Sequence, residues 1–423
     1  MRKRRSRDAF DFMRILYISG DMGVEIGGRK GAATHVRETC HAFQRFGHEV
    51  RLITPAPGDR SQVRVPIIEV PAVRAKQLGH EGRYILLNRR MERVIDREIR
   101  EFRPDAIYER YSLFQTAGLK LCRKYGIPRI LEVNTLLAHE MRHRLKWPWL
   151  AGKAENRLWR KEPAIIAVSE MLKTLMVKQA GLKLEGMAGF VISPVAVDAP
   201  MFHPSTEPAA EVLQIAEGRS VAGYTGTLTA WHGVDLFFDA AAELKRLGAN
   251  CLILAVGGEP ERVERLRAEV LQKKLESHLR FHGSIPHHQV PHFLSAFTMC
   301  LIPDTQDWSS PTKFFEFAAM GKPIVASRSP SVDEVFGHNE NAGFFFERGS
   351  GKAMAAQIVS CLNDPSEAAR RGLVARQRIL DHYTWEASIG RVMELYRAQG
   401  LAEAPVPPPY REALTTPGPL ASL

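Results

Sequence analysis

Short apolar runs alternate with helical patterns along almost the whole of this chain, and no other feature restricts its fold as tightly. The runs RILYIS (14–19), EVRLIT (49–54), DAIYER (105–110), PRILEV (128–133), AIIAVS (164–169) and GFVIS (189–193) have strand length and are separated by longer helical stretches. Strands spaced in this way pair in parallel through helical crossovers, with helices on both faces of the sheet. The alternation pauses over 194–219, a stretch rich in Pro, Ala and charge. It resumes in SVAGYTG (220–226), CLILAVG (251–257), LRFHG (279–283), TMCLIP (298–303), PIVAS (323–327) and GFFFE (343–347). Two doubly wound α/β domains suit 423 residues better than one core does. The expected organisation is a basic extension over 1–13, a first domain over 14–198 and a linker over 199–219. A second domain follows over 220–381, then a C-terminal helix over 382–400 packing back towards the first domain and a disordered tail over 401–423, which contains PVPPPY.

Charge divides the halves. Residues 1–200 hold 37 Lys and Arg against 22 Asp and Glu, leaving 21 against 25 for the remainder. A basic half can serve nucleic acid, anionic lipid or an anionic acceptor. No zinc-finger or RNP-like signature accompanies it, so nucleic acid is not an expected partner. The five cysteines lie far apart without a CxxC pair, which argues for a reducing compartment, with the cytosol as the expected location. The apolar run at 15–18 is too short for a signal-peptide core, and no stretch reaches the ~18 apolar residues that a membrane span needs.

In open parallel sheets, ligands sit beyond the carboxyl ends of strands, where loops lead into helices. One such loop contains SSPTKFFEFAAMGKPIVAS (309–327). Pro311 suits the first turn of a helix, Ser310 is its candidate cap, Gly321 its stop, and IVAS reads as a buried parallel strand. Glu316 then lies one turn into a helix whose bare amino end attracts phosphate, placed to accept hydrogen bonds from a neighbouring ribose. The stretch can hold a nucleotide, or it can be an ordinary amphipathic helix. Glycine turns recur at Gly27, Gly28 and Gly31, at Gly226 and in VGGEPER (256–262). They admit close backbone approach to a ligand, although tight α/β packing favours them too. There is no GxGxxG after the first strand, no GxxxxGK[ST], no Asp-x-Asp and no GxSxG, and the histidines between 278 and 292 contain no HExxH. Neither a metal site nor a cofactor is expected, and the histidines at 278, 282, 287, 288 and 292 do not form a metal motif.

The stretches GGRKGAATHVRETCHAFQRFGHEVRLIT, YERYSLFQTAGLKLCRKYGIPRILEVN, AVSEMLKTL, PVAVDAPMFHP, YTGTLTAWHGVDLFFDAA, FHGSIPHHQVPHFLSAF and SPTKFFEFAAMGKPIVAS stand in family order between residues 27 and 327, within a likeness that spans about residues 14–398. Taken together, they resemble the glycosyltransferase family 4 enzymes. The resemblance implies the GT-B fold, two Rossmann-like domains facing across a cleft. It implies a retaining, metal-independent transferase that takes its sugar from a nucleotide diphosphate, with uridine as the expected base. It places Glu316 on the donor ribose, amides near Pro311, Thr312 and Lys313 on the diphosphate, and Gly283, Ser284 and Ile285 along the base. Gly226 with the amides that follow it would line the diphosphate, and Gly27 and Gly28 would approach the reacting centre. The chain also departs from the family pattern. The usual first glutamate falls on Trp308, beside Asp307. An arginine and a lysine that contact phosphate in relatives correspond to Thr227 and His232, with Lys313 as the expected substitute. A histidine of many relatives is Asn134 here.

The acceptor side is less explicit. HEMRHRLKWPWLAGKAENRLWRKEP (139–163) sets nine Lys, Arg or His beside Trp147, Trp149, Leu150 and Trp159. Basic residues beside tryptophans suit a helix at a lipid headgroup layer, and equally a solvated helix partly packed on the core. The expected acceptor is a carbohydrate or a lipid-linked, envelope-bound molecule, with the protein peripheral at the anionic inner leaflet. The alternatives are a non-catalytic nucleotide-sugar-binding scaffold and a sugar-nucleotide epimerase on the same two-domain plan.

Overall fold

The structure, a computed structural model, describes residues 12–401 apart from Arg29 and Asn339. Most of the expected basic extension and of the expected tail lies outside the described residues. The chain divides into two compact units. One is built from residues up to 168, 172–193 and from 385 onward, the other from 169–171 and 194–384.

In the first unit, the described strands are β1 (Arg14–Ser19), β2 (Glu49–Thr54), β3 (Ile67–Glu69), β4 (Ala106–Arg110), β5 (Arg129–Val133), β6 (Ala164–Ala167) and β7 (Gly189–Ile192). They form a parallel sheet in the order β3-β2-β1-β4-β5-β6-β7. The sheet therefore grows outward from β1 in both directions, and the order reverses between β1 and β4. Of these strands β3 was not expected. It has three residues and lies between Pro66 and Pro71, too short for a periodic signal.

The second unit repeats the plan with β8 (Ser220–Thr225), β9 (Cys251–Val256), β10 (Leu279–His282), β11 (Met299–Ile302), β12 (Ile324–Ser327) and β13 (Phe344–Phe346) in the order β10-β9-β8-β11-β12-β13. Its reversal falls between β8 and β11. Neighbouring residues of one strand enter different cores: Leu254 and Val256 pack with the Thr312–Ala319 helix, whereas Ile253 and Ala255 pack with the Asp235–Arg246 helix. With both faces covered in this way, only the ends of the sheet are open to a ligand.

The linker expectation fails over 199–219. Phe202 and Val212 are buried in the second unit's core, and Ala210–Ala216 is a helix. Val195 and Val197 join the same core, so the second unit begins at Pro194. Isolated apolar residues among Pro and Ala leave no periodic trace, which is why this packing is not legible. The Trp385–Ala398 helix belongs to the first unit, where the Tyr396 hydroxyl donates to the Ile107 carbonyl at 2.9 Å.

Arg129, fully buried at the start of β5, is held between two carboxylates. Its Nε is 3.0 Å from Glu109 Oε2, and Glu162 takes its Nη1. Gly118 leaves the room for this, since a Cβ there would lie 1.7 Å from Glu109 Oε2. Burial pushes Glu162 up to about 7 against the pull of Arg129, and Glu109 also stands above its ordinary range. Replacing Arg129 by Met leaves two carboxylates facing each other out of water. It should cost about 3–5 kcal/mol of stability at neutral pH, measured as a lower urea midpoint. An unchanged midpoint would show that the arginine is not needed there.

Candidate functional site

The loops beyond β8, β9 and β10 are tied together by their backbones. Gly226 directly follows β8 at φ +146°, and its N–H donates to the Val256 carbonyl at 3.0 Å. Gly257, at φ +127°, approaches so closely that a Cβ on it would lie 2.1 Å from the Gly226 oxygen. Its N–H donates to the carbonyls of His282 and Gly283, each at 3.2 Å, and the Ser284 hydroxyl donates to the Gly258 carbonyl at 2.6 Å. Glycine is required at 226 and 257 by this contact and by positive φ. The turn stays accessible: Gly226, Thr227 and Ser284 are exposed, and Gly283 and Ile285 half-buried.

On the other side of the order reversal, the Thr312–Ala319 helix follows β11. Its start differs from expectation. Pro311, at φ −71° and ψ 131°, is the capping position rather than the first helical residue, and no side chain caps the helix. Ser310 is occupied elsewhere, its hydroxyl accepting from the Val195 amide at 3.1 Å. The Phe314 amide donates to the Pro311 carbonyl at 3.1 Å, and the amides of Thr312 and Lys313 are left to another acceptor. Gly321, at φ +67°, follows the helix, and β12 begins at Ile324.

From this helix Lys313 turns inward and spans the reversal. Its Nζ donates to the Tyr224 hydroxyl of β8 at 2.8 Å, lies 4.4 Å from the centre of that ring, and is 3.3 Å from His232 Nδ1. Burial pulls the Lys313 ammonium down to about 7, although Glu316 raises it. Burial first and the Lys313 charge second pull His232 down to about 3. One turn further along the helix, Glu316 is 7% exposed, with His287 Nε2 3.1 Å from its Oε1. Arg348 orders the loop after β11, donating to Asp304 at 2.7 Å, Asp307 at 2.6 Å and the Thr305 carbonyl at 2.6 Å. The structure thus brings Gly226, Thr227, His232, Pro311, Thr312, Lys313 and Glu316 to the region around one reversal point. Gly283, Ser284 and Ile285 form its flank beyond β9.

Two partners in this site were missed. Tyr224 carries a hydroxyl among the small apolar residues of SVAGYTG, a signal that was readable. His287 belongs to the histidine group weighed for metal binding, whose members part to separate partners. His282 Nε2 lies 2.9 Å from Glu211, and His292 Nδ1 lies 2.8 Å from the Glu207 carbonyl.

In the first unit, Gly27 and Gly28 lie in the loop after β1 with their amides in use, Gly27 donating to Pro57 and Gly28 to Glu25, each at 2.9 Å. A Cβ on Gly27 would lie 2.1 Å from the Asp59 oxygen, so this glycine closes the loop on its neighbour. Asn134 follows β5 directly. Beside it the register aligns Ser19, Arg110 and Glu132 in one row across β1, β4 and β5. His35 Nε2 is 2.5 Å from Glu132 Oε1. Burial pushes the Glu132 carboxyl up, but His35, Arg110 and Asn134 more than offset this and hold it below its ordinary range. Tyr17 Oη, Ser19 Oγ, His35 Nδ1, Arg110 Nη1, Glu132 Oε2 and Asn134 Oδ1 are buried with no protein hydrogen-bond partner among the described residues. Sequence reasoning singled out only Asn134 here, because the row exists only once the strands are in register.

Residues 205–378 match the family described as Glycosyl transferases group 1, and residues 29–185 match Glycosyltransferase Family 4. The chain is similar to a glycogen synthase of Mycobacterium tuberculosis, at 24% identity over 91% of this chain and 95% of that one. Among solved structures, it is similar to sucrose-phosphate synthase from Thermosynechococcus elongatus. The TM-score is 0.72 at 18% identity, over 91% of this chain and 98% of that one. It is also similar to Anabaena HepE in complex with UDP-glucose, with a TM-score of 0.69 at 18% identity, over 91% and 100% of the two chains.

A buried lysine without a carboxylate partner has a measurable consequence for stability. Its folded value of about 7 lies below the ordinary 10.5, so the unfolded chain binds more protons between these limits. Stability from this group therefore rises with pH through that window, and the penalty is fully present below pH 7. Lys313→Met should raise the apparent Tm of the ligand-free protein at pH 6, by roughly 2–4 °C. The gain should be smaller at pH 10, and a lower Tm at pH 6 would contradict the assignment.

Proposed function

Because this chain belongs to the glycosyltransferases of group 1 and family 4, we propose that it transfers a sugar from a uridine diphosphate donor to a carbohydrate or lipid-linked acceptor of the cell envelope, with retention and without a metal or cofactor. The observation that carries this reading is Lys313, a buried amine without a carboxylate partner, beside an uncapped helix start at the order reversal of the second sheet. A pyrophosphate supplies the anion that this arrangement lacks.

In this reading Lys313 and the amides of Thr312 and Lys313 meet the charge that develops on the departing diphosphate, with the Gly226–Thr227 turn and His232 alongside. Preorganised donors of this kind can do the work of a metal ion. Among the described residues no three His, Cys, Asp or Glu side chains come together to hold one. Glu316 accepts from the ribose hydroxyls in place of His287, and Gly283, Ser284 and Ile285 lie along the base. The anomeric carbon loses its bond to the β-phosphate oxygen and gains one to the acceptor oxygen on the same face. The acceptor proton passes to the departing phosphate. No carboxylate is assigned to a covalent intermediate.

Gly27 and Gly28 act by shaping the loop after β1, since their amides are engaged within it. Asn134, with the row Ser19, Arg110 and Glu132, offers both donors and acceptors to sugar hydroxyls. The Pro148–Trp159 helix gives the first unit a surface for lipid. Trp147 and Trp149 are 46% and 62% exposed, with Lys146 and Lys153 each 5.0 Å from a ring centre. Trp159 is buried and serves the core instead. Among the described residues no helix is long and apolar enough to cross a membrane. Association at the anionic inner leaflet would therefore rest on surface residues such as these.

Turnover of a panel of UDP-, ADP- and GDP-sugars tests the activity, with the anomeric configuration of the product read by NMR and EDTA as the metal control. Transfer with retention that survives EDTA is expected; a glycosyl-enzyme adduct would sink the proposed step. Glu316→Ala should weaken donor binding by about 1–3 kcal/mol in calorimetry, the cost of leaving buried hydroxyls unpaired. Unchanged affinity would remove Glu316 from the site. Wild-type protein should co-sediment with anionic vesicles at low salt, and the Trp147→Ala, Trp149→Ala double variant should not. Equal sedimentation of the two would discard the lipid-facing helix.

A further inference from the structure

Hydrogen-bond counting at Lys313 goes a step further, and it rests on the reading of this site as the diphosphate's. The Tyr224 hydroxyl donates its proton to the Thr227 carbonyl at 3.0 Å, so towards Lys313 it can only accept. His232 Nδ1, 3.3 Å from Nζ, is likewise an acceptor, and the same ring hydrogen-bonds the Asp304 backbone. A neutral amine has two N–H groups and finds two acceptors. An ammonium has a third, for which the described residues supply no acceptor.

The other charged groups around it are committed. Glu316, on the same helix, has its Oε1 3.1 Å from His287 Nε2, and the Asp304 carboxylate takes Arg348 at 2.7 Å. Among the described residues no carboxylate lies within ion-pair distance of Lys313. We propose that the site takes up a proton together with the diphosphate, Lys313 being a neutral amine in the ligand-free protein at pH 8 and an ammonium in the complex, its third N–H given to a phosphate oxygen. The proton comes from solvent and returns to it when the nucleotide leaves. Burial, which pulls Lys313 down to about 7, acts in the same direction. His232, held at about 3, remains a neutral acceptor throughout. Donor capture is thereby tied to pH: above pH 7 the apparent affinity falls about tenfold per pH unit, while below pH 7 this group imposes no slope.

Calorimetric titration of the full chain with UDP, ADP and GDP at pH 8, in Tris and again in HEPES, measures the protons exchanged on binding. The nucleotide phosphates are already ionised at this pH. The expected result is uptake of about 0.9 proton per nucleotide by the wild type. Lys313→Arg, whose side chain is charged in both states, should bind with no uptake. Lys313→Met, which also lacks the titrating group, provides the same check should arginine not fit. Equal heats in the two buffers for the wild type, or uptake that persists in both variants, would overturn the proton linkage and leave the donor reading standing. If no nucleotide binds, the donor reading fails and the linkage fails with it.

Discussion

Each sheet of this protein begins in its middle. A parallel strand must be reached from the same end as its neighbour, so every connection crosses the face of the sheet, and helices come to cover both faces. When the chain has built outward from the first strand and then returns to build the other way, the loops leaving the two central strands diverge and leave a crevice at the carboxyl edge. This happens between β1 and β4 in one unit and between β8 and β11 in the other. Polar groups stand together at both edges. Tyr224 and Lys313 meet at the second, and Ser19 and Arg110 stand side by side at the first.

How much of this was legible follows from which signals are local. Twelve of the thirteen described strands lie on apolar runs bounded by turns, and the glycine turns mark their carboxyl ends. The exception, β3, is three residues long. Glu316 and Lys313 could be singled out because helix start, stop and following strand are written within nineteen consecutive residues, 309–327. Which residue faces Lys313 could not be read in the same way. Tyr224 lies 89 residues away in sequence and His232 lies 81 away, and only strand order brings them together. The cap was misassigned for a similar reason: Ser310 is bound by the Val195 amide, a long-range competitor invisible in the local pattern. The packing of Phe202 and Val212 likewise depends on neighbours supplied from elsewhere in the second unit.

The row at the edge of the first sheet shows how register makes a site from residues that are unremarkable one by one. Ser19, Arg110 and Glu132 belong to three strands well separated in sequence, the first two ending in these polar residues and the third carrying Glu132 one residue before its end. Side by side they form a strip in which a guanidinium and a carboxylate stand 4.0 Å apart, with His35 closing one end. Buried polar atoms normally find partners within the protein, and an isolated orphan costs about 1–3 kcal/mol. Several orphans along one strip at the carboxyl edge of a parallel sheet fit the proposed acceptor, a polyhydroxylated ligand, better than a packing defect scattered through a core.

Two buried cations then separate what serves the fold from what serves the ligand. Arg129 and Lys313 are both removed from water, and desolvation opposes charge on each. Arg129 has Glu109 and Glu162 against it, and those carboxylates more than offset the penalty, so its charge is kept and its needs are met inside the protein. Lys313 has a phenol and an imidazole, both neutral, and its affinity for the proton falls. Replacing these acceptors with a carboxylate would relieve the lysine, but it would also place a fixed negative charge where the proposed function puts a diphosphate. In the proposed function the electrostatic disadvantage of the ligand-free site becomes the source of a preference for an anion: free energy withheld from folding is recovered when a phosphate binds.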